Sequence, residues 1–262
     1  MKDGHIHTPY CPHGSKDKIE DYIQKAIDIG LSEITFTEHL PLPKNFEDPS
    51  PKKDSAMDEE YILDYFNEIN VYKEKYKNEI KINVGVEVDY IEGYEDEITN
   101  LLNKYGDYLD DSILSVHMLK IEDEYYCIDF SPEEFLKIVN KLGSIENTYN
   151  KYYETLKLAI NSDLGIYKPK RIGHLNLVRK FNKLFPYNYE GNNLLNGVIN
   201  LIHEKGYELD FNTSGIRKIY CKEPYIHGYL LELVKKYNIK TVLGSDSHSY
   251  ETVGFNEIPN YL

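Results

Sequence analysis

Three of the nine histidines fall in one short stretch near the N-terminus, Gly4-His5-Ile6-His7-Thr8-Pro9-Tyr10-Cys11-Pro12-His13-Gly14. In an extended strand, residues i and i+2 point to the same face. His5 and His7 therefore aim both imidazoles at one point, with Ile6 buried behind them. Pro9 and Pro12 cannot donate to a ladder, so the strand ends by Pro9 and His13 sits on a short, stiffened loop that folds back toward the pair. Imidazole is the commonest ligand for zinc, iron, manganese and related ions. An exposed histidine tract, such as a tag remnant, is the plain alternative. The prolines, the lone Ile6 and the matching residues downstream argue against it. Cys11 lies in the same loop as a buried bystander or a thiolate ligand, and hydrolytic chemistry favours the bystander.

More candidate ligands follow at intervals. His39 comes after the apolar run Ser32–Thr37, Glu87 closes Ile80–Val88, and His117 ends Asp111–Val116. His174 follows Arg171-Ile172-Gly173, and Asp246 and His248 follow Leu243-Gly244. Asp246-Ser247-His248 repeats the spacing of His5-Ile6-His7. Glu87 lies between Val86 and Val88, where a bare carboxylate is costly to desolvate; a metal ion removes that cost, and so does a buried ion pair. His203 falls mid-helix and is expected to face solvent. His227 is expected early in a helix, in a structural role.

The elements that position these residues alternate along the chain. Strands are expected at Asp3–His7, Ser32–Thr37, Ile80–Val88, Asp111–His117, Arg171–Gly173, Tyr207–Phe211 and Lys240–Leu243. Helices are expected at Ser15–Ile29, capped by Ser15 and stopped at Gly30, and at Asp58–Tyr76, Tyr94–Tyr105, Ser131–Leu142, Ser144–Ser162, Glu190–Lys205 and Pro224–Tyr237. Ser131, Pro132 and Glu134 form an N-terminal capping signature. Such alternation argues for an α/β fold with a parallel sheet and crossover helices, in one domain spanning 1–262. The candidate ligands then share the C-terminal edge of the strands, where barrels and open parallel sheets build their sites. The loop Pro41–Pro51 is either a flap over that edge or a plain surface excursion.

Composition narrows the function further. A formal net charge of −14 argues against a nucleic-acid partner. No apolar run approaches the roughly 20 residues of a membrane span, and no secretory leader precedes His5. Three scattered cysteines, Cys11, Cys127 and Cys221, suit a reducing cytoplasm.

Taken together, His5-Ile6-His7, His13, Thr37-Glu38-His39, Gly85-Val86-Glu87, Ser115-Val116-His117, Ile172-Gly173-His174 and Gly244-Ser245-Asp246-Ser247-His248 resemble the PHP family, named for polymerase and histidinol phosphatase domains. The resemblance runs over essentially the whole chain and implies a distorted (β/α)7 TIM-like barrel with a cluster of three divalent metal ions (zinc, manganese or iron) at its C-terminal rim. It places one ion on His5, His7, Glu87 and Asp246, a second on Glu87, His117 and His174, and a third on His13, His39 and His248. The chain is most similar to the stand-alone histidinol-phosphate phosphatases, chiefly through Arg171–Phe181 and Glu208–Lys218. The resemblance then implies hydrolysis of a small phosphomonoester in histidine biosynthesis, with Arg179 and Arg217 holding the phosphate. A water bridging two ions would be the nucleophile, with Asp246 or His248 protonating the leaving alcohol and Glu87 bridging metals. Asp89, Glu92 or Glu38 is expected to meet the substrate's ammonium group. Two rivals share the metal ligands: another PHP hydrolase, acting on phosphotyrosine proteins or nucleotide diesters, and a non-catalytic metal-binding module.

Overall fold

A computed structural model describes residues 1–254. Among the described residues nine strands form: β1 (Lys2–Ile6), β2 (Glu33–His39), β3 (Lys81–Asp89), β4 (Asp111–Ser115), β5 (Met118–Ile121), β6 (Glu124–Cys127), β7 (Arg171–Ile172), β8 (Glu208–Asn212) and β9 (Thr241–Gly244). Seven of them make one parallel sheet in the order β1-β2-β3-β4-β7-β8-β9. A bridge between Ile6 and Ser247 brings the last strand back to the first. The His7 N–H donates to the Ser247 carbonyl at 2.8 Å, and the Asp246 N–H to the His5 carbonyl at 2.8 Å. The sheet thereby curls into a nearly closed seven-stranded barrel, and the two histidine-bearing chain ends become neighbours.

The helices α1 (Ile19–Asp28), α2 (Ile62–Lys75), α3 (Glu95–Tyr105), α4 (Pro132–Leu142), α5 (Ile145–Asn161), α6 (Asn193–Lys205), α7 (Ser214–Arg217) and α8 (Tyr229–Lys236) surround it. Each long helix buries an apolar stripe; α2 sets Ile62, Tyr65, Phe66 and Ile69 inward. Ser131 caps α4, its Oγ accepting from the Glu134 N–H at 3.2 Å, and Gly143 ends the helix at φ 82°.

Three expectations need correction. Ser15 does not cap α1, which starts at Ile19; its hydroxyl donates to Asp17 instead, at 2.6 Å. The last helix begins at Tyr229 rather than Pro224, because Gly228 at φ 55° and ψ −131° interrupts the turn. His227 is therefore in a loop, 3.6 Å from Glu223. The antiparallel hairpin of β5 and β6 adds a pair of strands that the alternation did not suggest. No helix among the described residues is long and apolar enough to cross a membrane.

Candidate metal centre

The strands deliver their polar residues to one end of the barrel. His5 is the fourth residue of β1, His39 ends β2, Glu87 lies near the end of β3, and His117 follows β4. His174 comes two residues after β7, and Asp246 and His248 just after β9. The close of β9 is tightly built. A Cβ at Gly244 would sit 2.1 Å from the Asp210 carboxylate and 2.7 Å from the His5 Cβ. Asp246 takes φ 50°, a left-handed conformation uncommon away from glycine that turns its carboxylate toward β1.

The expected ligands converge as three pairs of imidazoles. The Nε2 atoms of His5 and His7 are 3.2 Å apart, those of His117 and His174 3.0 Å, and those of His13 and His248 3.1 Å. Glu87 lies between the first two pairs. Its Oε2 is 3.3 Å from His5 Nε2 and 3.4 Å from His7 Nε2, while its Oε1 is 2.9 Å from His174 Nε2. Asp246 Oδ1 is 3.4 Å from His7 Nε2 and 3.5 Å from His248 Nδ1. His39 stacks on His7 and is buried with neither ring nitrogen hydrogen-bonded. His203, by contrast, lies exposed on α6 far along the chain from this cluster.

The outward nitrogens fix what the inward ones can do. His5 Nδ1 is 2.8 Å from Asp210 Oδ2, His7 Nδ1 is 3.3 Å from Glu38 Oε1, and His117 Nδ1 meets Asp89. His13 Nδ1 donates to the Asp54 carbonyl at 2.8 Å. With Nδ1 as the donor, each Nε2 turns a lone pair inward, the tautomer of a metal-ligating histidine. Inward lone pairs about 3 Å apart repel unless a proton or a cation stands between them. Facing Nε2 pairs, a carboxylate shared between two of them and the unpartnered His39 together fit divalent cations.

Burial and the neighbouring charges set which of these groups hold protons. Burial alone would lower the pKa of His5, but Glu87, Asp210 and Asp246 outweigh it and raise it to about 10. Burial likewise opposes a proton on His117, yet Asp89 and Glu87 lift it to about 10. Glu87 is held well below the usual carboxylate range: His5 and His117 overcome the burial that would raise it. Burial, reinforced by the charge at His7, drives His39 and His248 well below the ordinary imidazole value. In this arrangement the carboxylates are charged and His39 and His248 neutral, the forms that bind metal, while His5 and His117 hold protons that a bound cation would displace.

A cavity of about 320 Å³ opens onto this cluster. His13, His39, Glu87, His117, His174, Asp246 and His248 line it, with Asp89, Asp129, Lys180, Lys218 and Tyr225. Neither Arg179 nor Arg217 does. The Arg179 Nε donates to Glu223, its Nη1 to the Tyr187 carbonyl at 3.2 Å, and its guanidinium lies 4.7 Å from the Tyr189 ring centroid. Arg217 Nη2 donates to the Ser245 carbonyl at 2.7 Å and supports the turn that carries Asp246. The cations in the wall are instead their sequence neighbours, Lys180 and Lys218. The loop after β2 is more than a surface excursion, since Ser50, Lys52, Asp54 and Ser55 line the cavity. The residues that orient the histidines, Asp210, Glu38 and Asp89, had one sequence signal each: Asp89 is i+2 from Glu87 on the same strand, Glu38 precedes His39, and Asp210 is i+2 from Asn212 on β8.

Comparison with known proteins agrees with this fold. The family model for the PHP domain matches residues 3–214. A histidinol-phosphatase of Bacillus subtilis is 48% identical over 97% of this chain and 96% of its own length. A crystal structure from Listeria monocytogenes, provisionally assigned as a histidinol phosphatase, superposes with a TM-score of 0.95 at 35% identity, covering 100% of both chains. A histidinol phosphate phosphatase of Lactococcus lactis, crystallised with zinc, L-histidinol and phosphate, shares the fold at 24% identity and a TM-score of 0.73, over 96% of this chain and 89% of that one. The chain belongs to the PHP domain family.

Proposed function

We infer that this chain is a metal-dependent phosphomonoesterase that hydrolyses L-histidinol phosphate to L-histidinol and phosphate. The observation that carries the reading is the buried convergence of His5, His7, Glu87, His117, His174 and Asp246 beneath a cavity of small-molecule size. The identity to the Bacillus histidinol-phosphatase over nearly its whole length supports the substrate. His5, His7, Glu87 and Asp246 would hold one divalent ion, Glu87, His117 and His174 a second, and His13, His39 and His248 a third, zinc, manganese and iron all suiting these donors. Bound there, the ions supply Lewis-acid stabilisation of the phosphoryl oxygens and ease deprotonation of water. One domain over 1–262 carries the activity, its limit at 262 lying outside the described residues. Three free, buried cysteines fit a cytoplasmic setting.

The chain's own groups do the rest. Lys180 and Lys218, in the cavity wall, offer positive charge to the phosphate dianion. Arg217 acts behind them by holding the backbone of Ser245, and Arg179 is structural through Glu223. The proton that the attacking water gives up passes to the leaving alkoxide by way of Asp246 or His248, both at the cavity, so neither has to hold one beforehand. Steady-state kinetics on L-histidinol phosphate, aryl phosphomonoesters and nucleotide diesters, with and without chelator, test the reading. Histidinol phosphate is expected to have the highest kcat/KM, abolished by chelation; a diester or phosphotyrosine preference would replace the substrate assignment.

A further inference from the structure

Five carboxylates line the cavity: Asp54, Glu87, Asp89, Asp129 and Asp246. Four are committed. Glu87 and Asp246 lie among the imidazoles, and Asp89 is bound to His117. Asp129 is paired with Lys180 at 2.7 Å. The other carboxylates expected to meet an ammonium group are spent too. Glu38 accepts from His7 and from the Thr8 N–H, and Glu92 pairs with Lys151 at 3.0 Å. The Asp54 side chain alone among the cavity carboxylates makes no hydrogen bond or ion pair with the described residues.

Its backbone is nonetheless held firmly. The Asp54 carbonyl accepts from His13 Nδ1 at 2.8 Å, and its N–H reaches Ser50 Oγ at 3.4 Å. The turn around it is organised by Asp48, which accepts from the Ser50 N–H at 2.8 Å, the Ser55 N–H at 3.0 Å and the Ser55 hydroxyl at 2.9 Å. Asp54 is half-buried, while Lys52 on the same wall is exposed and served by solvent. A preformed, part-desolvated carboxylate with spare acceptor capacity is suited to a cation.

We propose that the Asp54 carboxylate binds the ammonium group of the substrate and makes the enzyme selective for amino-bearing phosphomonoesters. This rests on the reading of the site as a histidinol-phosphate phosphatase. The phosphate is drawn to the imidazole cluster and the lysines, and the ammonium extends across the cavity to the loop. The main-chain contact with His13 ties that loop to the metal cluster, so substrate selection and ligand geometry share one support.

The test compares kcat/KM for L-histidinol phosphate with that for the same ester lacking the amino group, in wild type, Asp54→Asn and Asp54→Glu. The deaminated ester, assayed in the same preparation, corrects for any inactive fraction. Wild type should favour the amino ester. Asp54→Asn should shrink that preference roughly 10- to 100-fold, mainly through KM, the scale of a hydrogen bond to a charged group. Asp54→Glu should recover most of it, and metal content should be equal in all three, because the carbonyl that meets His13 is retained. An unchanged preference in Asp54→Asn, or a wild type with none, would overturn the inference alone. A wild type that turns over neither ester would overturn the parent reading and this inference with it.

Discussion

The two ends of the barrel carry charge in opposite ways. At the N-terminal end, each charge has found its complement. Arg171, 3% exposed, donates to Asp111 at 2.8 Å and to the Gly4 carbonyl at 2.9 Å, plugging the barrel floor. Lys2 pairs with Glu33 at 3.0 Å, Lys81 joins the same carboxylate, and Lys240 pairs with Glu208. At the C-terminal rim the outward nitrogens of His5, His7, His13 and His117 are satisfied while their inward ones face other imidazoles. The same strands run through both ends, so the sheet does not decide the difference. It lies in which ends were closed by opposite charges and which were left as converging donors. That contrast separates stability from chemistry.

Substitutions at the two ends should therefore fail differently. Glu87→Ala should have the largest effect. Its two oxygens face separate imidazole pairs, so bound metal should fall and turnover should drop by more than about 1,000-fold, beyond the 10- to 100-fold typical of outer-shell changes. Metal analysis and kinetics on the purified variant check this; a variant with full metal content and activity would erase the contrast. Arg171→Ala should cost about 3 kcal/mol of stability by breaking a buried ion pair, seen as a lower denaturation midpoint, with kcat preserved in the folded fraction. Loss of metal without loss of stability would reverse the assignment of that end.

Asp210→Asn sharpens the comparison from within the rim. It weakens the hold on His5 Nδ1 and should reduce metal affinity 10- to 100-fold, read by competition with a chelating dye, with the fold intact. The smallest effect is expected at Asp129, in the cavity wall. Lys180 holds its carboxyl well below the usual range against the burial that would raise it. A carboxylate depressed in the folded state is protonated first in the unfolded chain. Its stabilisation is present above about pH 4 and fades as pH falls further. Thermal melts of Asp129→Asn should accordingly show a shallower acid dependence than wild type; identical slopes would remove Asp129 from the account.

Much of this was legible before any coordinates. Apolar runs such as Ile80–Val88 and helical stripes such as Ile62 to Ile69 declare their periods, and the seven parallel strands follow. The convergence of histidines and carboxylates was legible because His-x-His and Asp-x-His at strand ends admit one shared face. The β5–β6 hairpin was hidden because its two-residue turn, Glu122-Asp123, carries no glycine; Glu122 adopts φ 57° without the usual residue for it. The cations of the cavity wall stand one residue beyond the expected Arg179 and Arg217. Arg179 ends a short 3-10 turn and Arg217 a four-residue helix, so the next residue leaves each turn in another direction, and Lys180 and Lys218 reach the cavity wall. The carboxylates that orient the histidines were faint for another reason: Asp210 meets His5 across 205 positions of sequence, and its i+2 spacing to Asn212 does not name that partner.

The most direct measurement is turnover of L-histidinol phosphate by protein stripped of metal with a chelator and then titrated with zinc, manganese or iron. Activity should be lost on stripping and return in proportion to metal bound, saturating when the histidine cluster is filled. Full turnover by the stripped protein would contradict the account.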